Sequence, residues 1–442
     1  MAAVTCKVGS VAANTSTGNQ DVTVETGFGQ PQAGVIWVTK ATADNTETVH
    51  GQICVGMFDD AATPNQVAMG MFSRDNVATS NTGRWTDQAA VLVLADETAA
   101  GNQALGNKLL DVSMPARTGW PTDGFRLSID ATDGTAYVIN YIVYGGGVNA
   151  QLDTVTLNTA SVNVTTSWQA TAWISGLNTL ASTTDANDAY LSLGFASFDG
   201  VSTFKHACAT YYSDDAQGTC LMEAGSWTNG LWNHHSGGAV RSRATITAST
   251  SSLYTVTRSE GTSNRTGYIL ALNFDDATGV DVGNYTTPTA TGTASVTLSW
   301  EPCFFGFISN LIEDGSEDAI QTSAVNMVGG LGLGAVSYDG TTSAERAGSV
   351  RDDDAATTMD NSCRVADATV SQADVSGTLD SRAIFDSAGA SSITFDWTTA
   401  PSTAQRLPWL AIENTAAGGG GADVGWMHQS IKRPQQRALA SM

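Results

Sequence analysis

The stretch GFGQPQAGVIWV, residues 27–38, decides the fold because the chain repeats its pattern twice more. A strand of period-two apolar residues, 22–28, leads into it, and alternate residues of such a strand face one side of a sheet. The same phase recurs over 162–168 and 294–300, each time followed by a short polar break and a second apolar strand. The aromatic residues that end these segments lie roughly 130–140 residues apart, a spacing that indicates tandem domains and not a short-repeat solenoid.

Further landmarks follow in the same order in each copy. A glycine strand ends in an acidic turn at 58–60, 198–200 and 338–340, an aspartate follows, and two apolar strands close the unit. Two of the turns are Asp-Gly, which is typical of tight hairpins. The pattern predicts an all-β fold of three tandem antiparallel β-sandwich domains, jelly-roll-like, with little helix. A short helix is expected only within Asn102 to Leu110.

Composition shifts set the expected boundaries. Residues 1–147 form the first repeat, 148–277 the second, 278–417 the third, and 418–442 a glycine-rich joint with a basic C-terminal tail. The linkers between repeats are short, which predicts domains packed against each other. Three similar domains in one chain can imitate a trimer, so we expect the protein to occupy a three-fold or pseudo-three-fold position.

Composition and charge exclude several classes of function. The 442 residues are 42% hydrophobic and only 14% charged, which suits exposed strands and turns covered by Thr, Ser, Asn and Gly. The formal net charge of −23 repels phosphate backbones, so we predict no nucleic-acid partner. The N-terminus has no signal-peptide pattern and no apolar run has membrane-spanning length, so we expect synthesis in a cytoplasm and no membrane insertion.

No motif points to catalysis. The sequence lacks a G-x-S-x-G elbow, an H-E-x-x-H pair and a phosphate loop, and its prominent carboxylates recur in every repeat, as a structural role predicts. His234 and His235 stand beside Trp232, but neighbours on a regular strand point to opposite faces and would not chelate one ion. We therefore predict no enzyme activity, no cofactor and no metal site at these histidines. A glycan hydrolase, which needs only two facing carboxylates, stays open as an alternative.

Two questions about side-chain chemistry stay open. The repeated aspartates Asp75, Asp214 and Asp353 either bind calcium with loop carbonyls, or cap turns or pair with an adjacent arginine. The six cysteines fall at different places in each repeat, which favours buried free thiols over a shared disulfide framework. In an oxidising setting, Cys208 and Cys220 are the pair most able to form a bridge.

Two surfaces are candidates for binding. The middle sections of the repeats carry tryptophans beside Gly, Thr, Pro and Asn, which we predict to form a contact surface: Trp85, Trp120, Trp227 and Trp232. The basic tail is the second candidate, either a frayed terminus or an arm that docks on an acidic partner or a neighbouring copy, with these residues: Trp426, Met427, Lys432, Arg433 and Arg437.

The repeated pattern resembles a β-domain encoded in the structural gene clusters of tailed bacteriophages. The resemblance rests on Gly-Phe-x-x-Pro-x-x-Val-Ile-Trp-like segments, a Phe-Asp-Gly turn, Asp-Gly-Phe-x-Leu and a final Tyr-x-x-x-Gly-Gly strand. It is best at 27–38 and 123–146 in the first repeat, while the second repeat has Gln169-Ala170 where the others have proline. It covers nearly all of 20–415, and its motifs are structural, so no catalytic residue is carried over.

This resemblance implies a non-enzymatic structural protein of a tailed-phage virion, displayed as a capsid decoration or a tail appendage such as a tail fibre. The expected partners are other virion proteins of capsid or tail, or further copies of the chain in a homo-oligomer. The expected location is the virion, after synthesis in the host cytoplasm. A receptor- or carbohydrate-binding adhesin, which would recognise the host through a surface glycan, is the main alternative.

Overall fold

The computed structural model describes residues 5–75, 77, 79–97, 105–216, 222–274, 279–310, 318, 320–322, 328–353, 361–373 and 379–414. Within these residues the chain forms 33 β-strands and a single 3-10 turn, Arg117–Gly119. The all-β prediction is confirmed.

Each repeat contributes eleven of the strands. The first repeat supplies β1–β11: Thr5–Ala12, Gly18–Thr23, Ala33–Thr39, Thr46–Val49, Gly51–Asp59, Gln66–Ser73, Thr82–Asp87, Leu92–Ala95, Lys108–Ser113, Gly124–Thr132 and Val138–Gly145. The second supplies β12–β22: Asn149–Leu157, Ser161–Thr165, Ala172–Leu177, Thr184–Asn187, Ala189–Phe198, Phe204–Ser213, Met222–Trp227, Trp232–Ser236, Ala239–Ser249, Leu253–Gly261 and Arg265–Asn273. The third supplies β23–β33: Val280–Thr286, Gly292–Thr297, Pro302–Ser309, Ile320–Thr322, Val328–Tyr338, Ser343–Asp353, Asn361–Ala366, Val370–Ala373, Leu379–Gly389, Ser392–Thr399 and Arg406–Glu413.

Every repeat folds into a sandwich of one seven-stranded and one four-stranded antiparallel sheet. In the first repeat the orders are β1-β11-β3-β5-β6-β7-β15 and β2-β10-β9-β8, and the other repeats follow the same orders. The outer pair of the large sheet, β1 with β11, continues across the sandwich into the outer pair of the small sheet, β2 with β10, as the paired chain ends of a jelly roll do. The remaining strands run as two meanders, so the jelly-roll pattern is limited to the chain ends of each repeat.

The seventh strand of each large sheet comes from a different repeat. Strand β15 of the second repeat pairs with β7 of the first, β26 of the third pairs with β18 of the second, and β4 of the first pairs with β29 of the third. The exchange is therefore cyclic. We call the arrangement defined by these three strands the closed ring, and it gives one chain a pseudo-three-fold body.

The large sheets are buried on both faces. Along β3, Ile36 and Val38 point into the core of their own sandwich, whereas Val35 and Trp37 point into a core shared by all three repeats. The shared core includes these residues: Val8, Met57 and Met69 from the first repeat; Ile174, Leu191 and Tyr211 from the second; and Phe304, Ile308 and Leu333 from the third. Burial on both sides explains why these strands are continuous apolar runs in the sequence.

Two local predictions need correction. The period-two strand stops at Thr23, and Phe28 lies beyond it in a turn in which its backbone N–H donates to the Glu25 carbonyl, because the chain crosses there from the small to the large sheet. The helix expected within Asn102 to Leu110 is wrong over its described part, since β9 begins at Lys108. Residues 98–104 lie outside the described residues.

Candidate functional site

The three seams of the closed ring bring distant parts of the chain together. The donated strand at two of these seams has four residues: β4 pairs from Thr46 with Val365 to Val49 with Ser362, and β15 pairs from Thr184 with Thr86 to Asn187 with Gly83. Each donated strand covers the edge of the neighbouring sheet, which would otherwise expose unpaired backbone groups. The seams are therefore the sites at which the repeats recognise one another.

At two of the seams, a partly buried carboxylate accepts a backbone hydrogen bond from the neighbouring repeat. Asp75 Oδ1 accepts the backbone N–H of Asn361 at 2.9 Å, and Asp215 Oδ1 accepts the backbone N–H of Thr82 at 3.0 Å. In each case the aspartate belongs to the repeat that donates a strand, and the N–H belongs to the repeat whose sheet receives that strand. A carboxylate that accepts a backbone N–H forms a charge-assisted hydrogen bond, roughly twice as strong as a neutral one.

Strand register shows which aspartates are equivalent. Gly56 pairs with Ala68 and Gly194 pairs with Cys208, and Asp75 and Asp215 follow these partners at the same sequence distance. The predicted equivalence of Asp75 with Asp214 is therefore wrong by one residue. Asp214, one residue past the end of β17, accepts instead from the hydroxyl of Tyr212 on that strand. The third predicted position, Asp353, ends β28, and its side chain lies outside the described part of the structure.

At two of the exchanges, a second hydrogen-bond acceptor lies just before the strand that follows the donated strand. His50 and Asp188 both adopt a left-handed backbone, with φ of 71° and 64°, which turns the chain sharply from the donated strand into the next one. His50 Nδ1 accepts the N–H of Asp75 at 3.0 Å, and Asp188 Oδ1 accepts the N–H of Asp215 at 2.9 Å. Sequence reasoning missed this pair, because a histidine and an aspartate share no recognisable motif and only the register aligns them.

Side-chain size is complementary across the seams. A Cβ placed on Gly348 of the third repeat would lie 2.9 Å from Cδ1 and Nε1 of Trp37 in the first repeat. A Cβ on Gly176 of the second repeat would lie 2.8 Å from Sδ of Met69 in the first and still closer to its terminal methyl group. Each large side chain thus fills the space left by a glycine of another repeat.

The register makes Trp37 equivalent to Gly176 and Ile308, and makes Gly348 equivalent to Met69 and Ala209. The three seams therefore carry three different size combinations at the same place: Trp with Gly, Gly with Met, and Ile with Ala. Because interiors are close-packed, these differences distinguish the seams from one another.

The four tryptophans predicted as a contact surface are buried, so that prediction is wrong. Exposure is 0% for three of them and 6% for the fourth: Trp85, Trp227, Trp232 and Trp120. Two of these side chains can be buried because glycines leave space for their rings. A Cβ on Gly70 would overlap the ring of Trp85, and one on Gly225 would overlap the ring of Trp227. Room for these two indole rings comes from a glycine on the neighbouring strand, Gly70, and from a glycine on the same strand, Gly225.

The tryptophans on the repeated strands lie at two depths. Trp397 and Trp409 are buried in the core, whereas Trp168 and Trp300 are half-buried at its edge. The tail residues lie outside the described residues: Trp426, Met427, Lys432, Arg433 and Arg437.

The adjacent histidines lie on β19, where a bulge interrupts the pairing with β20 between them. His234 Nδ1 accepts the Nε–H of Arg265 at 2.9 Å. His235 is fully buried, 3.8 Å from Glu223 Oε2 and with its ring 5.7 Å from that of Trp227. Burial lowers the pKa of His235 to about 4, so the ring is neutral at pH 7.

Within the described residues, no three His, Cys, Asp or Glu side chains come together as metal ligands. Asp75 and Asp215 each accept a backbone N–H from a neighbouring repeat, a contact that differs from the local turn cap expected as the alternative to calcium binding. The described cysteines are buried free thiols: Cys6, Cys54, Cys208, Cys303 and Cys363. Cys220, the proposed partner of Cys208, lies outside the described residues.

No protein-family description matches the chain. No curated protein and no solved structure matches it significantly. In the described part of the chain, no helix combines the length and apolar character needed to span a membrane.

Proposed function

We propose that this chain is a non-enzymatic structural protein of a tailed-phage virion, displayed on the particle as a capsid decoration or a tail appendage. The observation that carries the proposal is the closed ring. One chain exchanges a strand across each of three seams and packs three sandwiches around one shared core. Such a body matches a three-fold or pseudo-three-fold position of a symmetric particle without needing three separate subunits.

Chemical features agree with this role. One edge of each large sheet ends in a short exchanged strand, and short edge strands limit uncontrolled strand pairing at high local concentration. The net charge of −23 keeps densely displayed copies soluble. The resemblance of the repeats to a tailed-phage β-domain supplies the virion setting, and the basic segment after residue 418 offers an attachment arm for an acidic partner.

The adhesin alternative depended on exposed tryptophans that could stack on a glycan. These tryptophans are buried, so they do not support it. The hydrolase alternative has no motif behind it, and no facing pair among the 43 acidic residues is assigned to it. The structural role therefore has the best-supported geometry of the three.

A cryo-electron reconstruction of purified particles from the source phage tests the proposal. We expect density for the ring at a three-fold or pseudo-three-fold position, with the C-terminal segment directed at the neighbouring virion protein. Deletion of residues 422–442 should leave the ring folded but remove it from particles. Absence of the full-length chain from particles, or three domains arranged in a line along a fibre, would contradict the proposal.

A further inference from the structure

A cavity of about 350 Å³ opens between the first and second repeats. This volume lies at the lower end of the roughly 300–1,000 Å³ typical of small-molecule sites. Three arginines line it, Arg84 from β7 of the first repeat and Arg241 and Arg265 from the second, together with the single carboxylate of Asp188. Such a concentration of positive charge is unusual in a chain with 43 acidic and 20 basic residues.

Arg84 enters the cavity across the seam. Its Nη1 donates to the carbonyl oxygen of Asp188 at 2.8 Å and also to that of Asn187. Its Nη1 lies 3.9 Å from the Asp188 carboxylate, at the limit of an ion pair. Among the described residues, Nε of Arg84 has no hydrogen-bond partner. The guanidinium is thus positioned by backbone oxygens, and part of its donor capacity is unused.

The other two guanidinium groups are held in the same manner, by neutral acceptors. Arg265 donates from Nε to His234 Nδ1 at 2.9 Å and from Nη1 to the Asn264 carbonyl at 2.8 Å. Arg241 donates from Nε to the Ser236 carbonyl at 3.1 Å. Neither arginine forms an ion pair with a carboxylate in the described part of the chain. Their positive charges are therefore held in place without a carboxylate at ion-pair distance in the described part of the chain, and Glu223 attracts Arg241 only from farther away.

The pKa values of two groups that line the cavity, Arg84 and His234, are lowered by burial and by the neighbouring arginines. Burial, together with repulsion from Arg265, lowers the pKa of Arg84, although Asp188 opposes the shift. The pKa of His234 is lowered to about 2, first by burial and then by four neighbouring residues: Arg265, His235, Arg84 and Arg241. The imidazole is consequently neutral and serves as an acceptor that orients Arg265.

We propose that this cavity binds a small organic molecule through a carboxylate or phosphate group. Guanidinium groups match both oxyanions because their paired N–H donors bind two oxygens at once. The hydroxyl groups of Ser236 and Ser263 also line the cavity and can bond the remainder of such a ligand. The site is specific to this seam, since the register places Ala224 and Cys363 at the positions equivalent to Arg84. The proposal is independent of the virion role.

Isothermal titration calorimetry with the full chain tests the site, using glucuronate as the carboxylate probe, glucose 6-phosphate as the phosphate probe and glucose as the neutral control. We expect one or both anionic probes to bind at the site and glucose not to bind. The probe that binds more tightly identifies the preferred oxyanion. Affinity should fall as NaCl is added, because the contact is ionic.

Variants locate the binding. Arg241→Gln changes an exposed side chain and should weaken binding by about tenfold or more. Arg126→Gln is the matched control, because Arg126 pairs with Asp21 on the small sheet of the first repeat. Arg84→Gln should abolish binding, with its fold checked by circular dichroism. The proposal is overturned if neither anion binds at about 10 mM, if glucose binds equally well, or if Arg126→Gln and Arg241→Gln weaken binding to the same extent.

Discussion

Trp37 and Gly348 provide a direct test of the packing between the first and third repeats. In Gly348→Ala, the new methyl carbon would lie 2.9 Å from two atoms of the Trp37 ring, whereas carbon atoms in contact prefer about 3.5–4.0 Å. Overpacking of this kind typically costs about 1–3 kcal/mol. The backbone of Gly348 does not have positive φ, so alanine introduces no separate conformational strain.

The partner substitution Trp37→Leu removes the ring atoms that would clash. By itself it should cost about 2–4 kcal/mol, since Trp37 is fully buried. In that background Gly348→Ala should become neutral or slightly stabilising, because alanine restricts the unfolded chain more than glycine does. The double-mutant cycle should therefore give a coupling free energy of about 1–3 kcal/mol between residues in different repeats.

Equilibrium urea unfolding, followed by circular dichroism and by the fluorescence of the remaining tryptophans, measures the four free energies of unfolding. Gly176→Ala is the control on the other seam. Its methyl group would meet the flexible end of Met69, which can move aside, so we expect a smaller cost even though the initial distance is shorter. Additive effects of Trp37→Leu and Gly348→Ala, within about 0.5 kcal/mol, would refute the proposed contact.

Three further predictions concern the seams and the buried groups. Asp75→Ala should lower the free energy of unfolding by about 1–3 kcal/mol in urea titrations, because the N–H of Asn361 loses its acceptor; Asp75→Asn keeps an acceptor and should cost less, and equal losses would contradict this role. Because burial keeps the pKa of His235 at about 4, below its usual 6.5, the unfolded chain binds a proton that the folded chain does not, and stability should fall as pH decreases from about 6.5 to about 4; His235→Gln should remove about 3 kcal/mol of this pH dependence, and an unchanged profile would argue against a buried neutral ring. Burial raises the pKa of Cys54 to about 12 and that of Cys208 further, so iodoacetamide at pH 8 should label neither thiol in the native protein and both in urea, as read by peptide mass spectrometry; rapid native labelling would contradict their burial.

Local periodicity was enough to predict the fold class. Alternation over 162–168 and 294–300 marks strands β13 and β24, and the Asp-Gly turn after Phe198 is a hairpin between β16 and β17. These features depend on residues close together in sequence. The repeat number and the all-β architecture can therefore be predicted from the sequence alone.

Contacts between distant residues decided the rest. The segment Thr46–Val49 carries no local sign that it pairs with Ser362–Val365, and the one-residue shift from Asp214 to Asp215 follows only from strand register. The glycine and threonine beside Trp85 in the sequence predict an exposed ring, but Gly70 on the neighbouring strand makes space for this ring in the core. The sequence by itself therefore determined the strands and their threefold repetition, whereas the tertiary structure alone decided the exchange, the seams and the arginine-lined cavity, because each depends on which distant surfaces pack together.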